Sequence, residues 1–102
     1  MGYYYSSEMS EHLYVSLRDD GNYGLFAKVP IFKGECIIDI KAGVDMPERD
    51  YQTIETDEGH FLHMEGKFAN HSCDPSATVD KANGKLIAIR DILSTEEITL
   101  GS

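Results

Sequence analysis

A chain of 102 residues, 41% hydrophobic and 26% charged, has material for one compact domain that buries roughly two thirds of its unfolded surface, and is too short for a multidomain machine. Nine Lys and Arg against eighteen Asp and Glu give a net charge of -9, a field that repels phosphate backbones and attracts basic peptides, so nucleic acid is not an expected direct partner. No stretch approaches the ~20 apolar residues of a membrane-spanning helix, and Met1 to Ser10 lacks the basic flank and apolar run of a signal peptide. Cys36 and Cys73 are too few for a disulfide framework and suit a reducing compartment. The expected location is the cytoplasm, or the nucleus for a eukaryotic or host-directed protein.

In chain order, apolar residues recur at every second position or in short blocks, and no helical period lasts beyond a turn or two, which predicts a mostly β domain. His12 to Leu17 is a first strand, ended by the turn formers Arg18-Asp19-Asp20-Gly21-Asn22. Tyr23 to Val29 is a second, and after Pro30 and the Lys33-Gly34 turn Glu35 to Ile40 is a third. These three are expected to share one small sheet. Lys41 to Asp50, with Gly43, Pro47 and little apolar content, reads as a connecting loop. Tyr51 to Glu55 and His60 to Met64 flank Thr56-Asp57-Glu58-Gly59 as a hairpin. Gly66 to Pro75 is rich in turn residues and fits one helical turn and a loop. Thr78 to Asp80 pairs with Lys85 to Arg90 around Ala82-Asn83-Gly84, and Glu97 to Leu100 is a last short strand. No internal repeat, linker or low-complexity segment is expected, and Tyr3-Tyr4-Tyr5 fits core or edge packing.

Three constellations could carry chemistry. His60-x-x-His63 followed by His71-x-Cys73 offers four potential zinc ligands, but His60 and His63 on one strand point to opposite faces, so no metal site is expected. Cys73 or Cys36 with a histidine base is the minimal thiol-catalytic pair, yet adjacency of His71 and Cys73 does not establish a hydrogen bond, and no oxyanion loop is recognisable. The third constellation is a series of short blocks. They are Asn22-Tyr23-Gly24-Leu25-Phe26-Ala27, Ile31-Phe32-Lys33-Gly34-Glu35-Cys36-Ile37, Lys67-Phe68-Ala69-Asn70-His71-Ser72-Cys73-Asp74-Pro75-Ser76-Ala77, Leu86 to Ile92 and Glu96-Glu97-Ile98-Thr99. In this order they resemble the SET domain family, over roughly residues 12 to 102, and Asn-His-Ser-Cys-x-Pro is the most specific of them.

The resemblance implies a β-clip fold of several small sheets with a C-terminal pseudoknot-like crossing. One domain spans 1–102, with an extension at 1–11, a short variable insert at 41–65, and the Asn-His-Ser-Cys loop and closing strands at 66–102. It further implies methyl transfer from S-adenosylmethionine to a lysine of a basic protein or peptide. Asn22, Tyr23 and Gly24 are expected at the methionine end of that cofactor, with Asn22 replacing a usual glycine and able to take positive φ. The Asn70 side chain is expected to accept from the cofactor's ammonium and the His71 backbone to bind its adenine edge. Where active relatives carry a C-terminal tyrosine this sequence has Ser102, so either it is cut before that tyrosine, or Tyr23 or Tyr51 substitutes as a catalytic hydroxyl, or the domain does not catalyse. The alternative is a non-catalytic SET-like module that binds cofactor, a basic peptide or a partner chain. The seven carboxylates from Asp45 to Glu65, opposed only by Arg49, are the expected acidic rim for a basic peptide, and a homodimer would give so small a domain a complete groove.

Overall fold

The computed structural model describes residues 11–48 and 53–101. Among them lie ten strands. These are β1 (Leu13–Leu17), β2 (Tyr23–Ala27), β3 (Cys36–Asp39), β4 (Val44–Met46), β5 (Ile54–Thr56), β6 (Gly59–Leu62), β7 (Asn70–His71), β8 (Ala77–Asp80), β9 (Lys85–Ala88) and β10 (Glu97–Leu100). Single 3-10 turns follow β3 (Ile40–Ala42) and precede β7 (Gly66–Phe68). The fold is mostly β, in several sheets.

Alternation explains the outer hairpins. In β1 and β2 the register pairs Leu13 with Ala27 and Val15 with Leu25, which puts Leu13, Leu25 and Ala27 in the core with at most 1% exposed. The β8–β9 hairpin repeats the arrangement, with Ala77 opposite Ala88 and Val79 opposite Leu86.

This similarity extends into an internal two-fold relation, contrary to the expectation of no internal repeat. Leu25, Ala27, Ile31, Glu35 and Ile37 recur 61 residues later as Leu86, Ala88, Ile92, Glu96 and Ile98. The backbone bonds recur with them. Ile31 and Ile92 exchange N–H···O bonds (2.8 and 2.7 Å), Ala27 N–H donates to Glu96 as Ala88 N–H does to Glu35 (2.9 and 3.0 Å), and Thr95 N–H donates to Ala27 as Gly34 N–H does to Ala88 (2.7 and 2.8 Å). Each return turn is closed by its own glutamate, whose carboxylate accepts from the N–H of Phe32 (2.6 Å) or Leu93 (2.7 Å). After the turns the halves exchange their third strands: β3 pairs with β9, and β10 with β2. The first three strands therefore do not form one sheet of their own, because β3 completes the other half. Ile92, Ile98, Leu25 and Leu86, all at most 1% exposed, fill the shared core, each such side chain contributing about 1.5–3 kcal/mol.

The remaining sheet runs β4–β6–β5. Its β5–β6 hairpin turns at Asp57-Glu58. The segment read as a loop after Lys41 holds β4 instead, paired to β6 with Val44 opposite Leu62 and Met46 opposite His60. Backbone bonds make this edge strand. Its side chains bury little, Val44 being 61% exposed, so no apolar alternation announced it.

Candidate functional site

The site arises where β10 leaves β2. Their pairing covers only Glu97 opposite Phe26 and Ile98 opposite Leu25; Thr99 and Leu100 turn to β7, parallel to Asn70 and His71. Ser76, fully buried, fixes the departing strand from the other side of the same loop. Its hydroxyl donates to the Glu97 carbonyl (3.2 Å) and accepts from Thr99 N–H (3.0 Å), while Ser72 N–H donates to the Leu100 carbonyl (2.9 Å). Residues 70–77 thus hold β10 as a crossing strand.

The Asn70 side chain bridges the resulting gap. Its amide nitrogen donates to the Tyr23 carbonyl and to Glu97 Oε2, both at 3.0 Å, so the amide oxygen remains as an acceptor. The other Glu97 oxygen lies 3.4 Å from Arg18 Nε. A Cβ on Gly24 would approach Glu97 Oε2 to 2.8 Å and Arg18 Cδ to 3.0 Å, so the absent side chain at 24 makes room for this Arg18–Glu97–Asn70 chain. Arg18 and Glu97 were missed as site residues. The Glu96-Glu97 pair was visible in the sequence, but only the three-dimensional crossing distinguishes the turn-closing Glu96 from Glu97 beneath Asn70.

Asn22, Tyr23, Asn70 and His71 line one open concavity of about 1370 Å³. Tyr23, 57% exposed, meets Phe68 edge-on, with ring centroids 6.2 Å apart. Gly24 is not on that lining; it lies behind Tyr23, over the Arg18–Glu97 pair. Positive φ falls at Gly21 (+89°) and not at Asn22. Asn22 is instead held by its own turn, its N–H donating to the Asp20 carboxylate (3.0 Å) and its carbonyl accepting from Arg18 N–H (2.7 Å); the Asn22 N–H bond is the main reason the Asp20 pKa is lowered. His71 presents backbone groups on an edge that no described strand covers. Ser72 N–H points to β10, and successive strand amides face opposite ways, so the His71 N–H and carbonyl face away from it. Tyr51 and Ser102 lie outside the described residues.

The charge of the lining differs from that of the chain. Among the described residues, Lys67, Lys81, His60 and His71 line the concavity, against the single carboxylate Glu55. The acidic segment is dispersed: Glu65 is 4% exposed, and Glu58 pairs with Lys41 (3.2 Å). His60, on β6, lines the concavity, and His63, just past the end of β6, is buried; among the described residues no three His, Cys, Asp or Glu groups converge as metal ligands.

A family model for the SET domain matches residues 22–101. The chain belongs to the SET domain family. Among solved structures this SET domain is similar to a Plasmodium falciparum protein described as a histone methyltransferase (TM-score 0.66, 21% identity, 91% of this chain and 94% of that one). It is equally similar to the methyltransferase domain of human PR domain-containing protein 2 (TM-score 0.66, 13% identity, 94% of this chain and 80% of that one). At such identities the likeness is one of fold. No curated protein sequence matches the chain.

Proposed function

We propose that this SET domain binds S-adenosylmethionine in the concavity between β2 and β7 and transfers its methyl group to a lysine of a basic protein. The single observation that carries the reading is the convergence of Asn22, Tyr23, Asn70 and His71 on one concavity, with Asn70 locked by Tyr23 and Glu97 so that its amide oxygen is left to accept.

The groups present suit a zwitterionic nucleoside. Asn70 offers an acceptor for an ammonium and Lys67 a cation for a carboxylate; Lys67 makes no ion pair among the described residues and stands 5.2 Å over the Phe68 ring. The outward edge of His71 offers both a donor and an acceptor to a purine. The cofactor supplies a methyl group on a positively charged sulfur. The chain's own task is to deliver a neutral amine, and a lysine with pKa near 10.4 costs about 4.6 kcal/mol to deprotonate at pH 7. Apolar walls disfavour the ammonium, and in this reading the rings of Tyr23 and Phe68 supply them and the Tyr23 hydroxyl orients the amine. The protein's net charge of -9 draws basic substrates to its surface.

Calorimetry with S-adenosylmethionine, followed by a labelled-methyl assay on lysine-rich peptides, tests the reading. Binding and label transfer that both depend on Asn70 support it. Binding without transfer, both by this chain and by one extended past Ser102, assigns it to the cofactor-binding modules, and absence of binding overturns the site.

A further inference from the structure

His63 sits one turn before the loop that carries the site, and the function proposed above gives it no role. It is 9% exposed. Its Nδ1 accepts two backbone N–H groups, from Glu65 and from Gly66, each at 3.1 Å, so the ring proton is on Nε2. Its own carbonyl accepts from Lys67 N–H (3.0 Å), and the turn continues as Phe68 N–H donates to Glu65 and Ala69 N–H to Gly66 (both 3.0 Å). The imidazole therefore caps the segment that sets Phe68 against Tyr23 and leads into Asn70 and His71. Packing leaves the turn little freedom to compensate: a Cβ on Gly66 would meet Ile38 Cδ1 at 2.7 Å, Ile54 Cδ1 at 3.0 Å and His63 Cβ at 3.2 Å.

We propose that His63 is a positioning residue whose neutral imidazole holds residues 65–70 in the ligand-ready arrangement, and whose protonation releases them and lowers affinity at the concavity. An imidazolium has no acceptor. Its Nδ1 would carry a proton toward two N–H donors, so both amides lose their partner at once. This regulation rests on reading the concavity as an S-adenosylmethionine site.

Among the described residues, the titratable and charged groups on the surrounding elements are Asp39 at the end of β3, Lys41 in the turn after it, Asp45 on β4, Glu55 on β5, His60 on β6, and Glu65 and Lys67 on the same stretch of chain. Burial pushes the His63 pKa below its usual 6.5, and the Asp39 carboxylate opposes this to a smaller extent. Because the folded value lies below the unfolded one, the ordered turn is fully favoured above pH 6.5 and is lost as pH falls through the folded value.

Two measurements on the same samples test this: affinity for S-adenosylmethionine by calorimetry between pH 8 and pH 5, and hydrogen-exchange protection of the Glu65 and Gly66 amides. In wild type, affinity should fall about tenfold for each unit by which ligand binding raises the cost of protonating His63, in step with lost protection of the two amides. His63→Asn keeps an acceptor near the place of Nδ1 and does not titrate. It should bind within about threefold of wild type at pH 7.5 and show a flat profile. His63→Leu, with no acceptor, should bind weakly at every pH. The proposal is overturned if His63→Asn retains the wild-type pH profile, which would assign the titration to another group, or if the wild-type amides stay protected through the titration. Amides that follow pH in a wild-type protein that binds no S-adenosylmethionine would uphold the cap and refute the cofactor site instead.

Discussion

β3 and β10 occupy equivalent places in the two halves but leave their partners differently. Cys36 opposite Ile87 corresponds to Glu97 opposite Phe26. Beyond that pair β3 bulges, so that Ile38 faces Leu86, and it stays beside β9 as far as Asp39 opposite Lys85. β10 has no bulge; it leaves β2 after Ile98 and is taken over by β7 and the Ser76 hydroxyl. The bulged half is closed by main-chain pairing, whereas the other is spread open and bridged by the side chain of Asn70. The same scaffold thus yields packing in one place and a ligand-sized concavity in the other, and the choice lies with what lies beside the third strand.

Breaking the clamp on β10 should have the largest effect. Ser76→Ala strands a buried N–H and a carbonyl and should lower stability by about 3 kcal/mol in urea unfolding, with loss of S-adenosylmethionine binding. Asn70→Ala removes the bridge and leaves the pairing intact; binding should fall at least about tenfold, roughly 1.4 kcal/mol, in calorimetry, with smaller loss of stability. The two return turns differ at Thr95, whose φ of 71° matches that of Gly34 (91°) although a β-branched residue is strained there. Thr95→Gly should raise stability by about 1 kcal/mol, and Gly34→Thr should lower it at least as much. Smallest is the turn glutamate. The Leu93 N–H, and then Arg90 (3.1 Å), hold the Glu96 pKa below its usual 4.5. Its contribution is therefore complete above pH 4.5 and is lost as pH falls through the lower folded value. Glu96→Gln should flatten that part of the acid unfolding profile, with an effect at neutral pH under about 1 kcal/mol.

The outer hairpins were legible because Leu13, Val15 and Leu25, or Val79 and Leu86, alternate with partly exposed residues. The Asn70-His71 block was legible because several specific residue types stand together. The two-fold relation was not. It rests on Leu, Ala and Ile, residues common in any strand, and only the reciprocal bonds of Ile31 with Ile92 reveal it. The room that Gly24 leaves for Glu97 and Arg18 was not legible either, because these groups are distant in sequence and no local pattern encodes their meeting.

The exchange of third strands has a kinetic consequence. β1 and β2 must wait for β10, and β9 for β3, so neither sheet can be completed from neighbouring sequence. Loop closure over some sixty residues precedes the stabilising contacts, which predicts slow, single-phase refolding for so small a domain. On the ribosome, a nascent chain that has not yet released Leu100 would expose the apolar edge of β2, and that interval is when this protein is most open to aggregation.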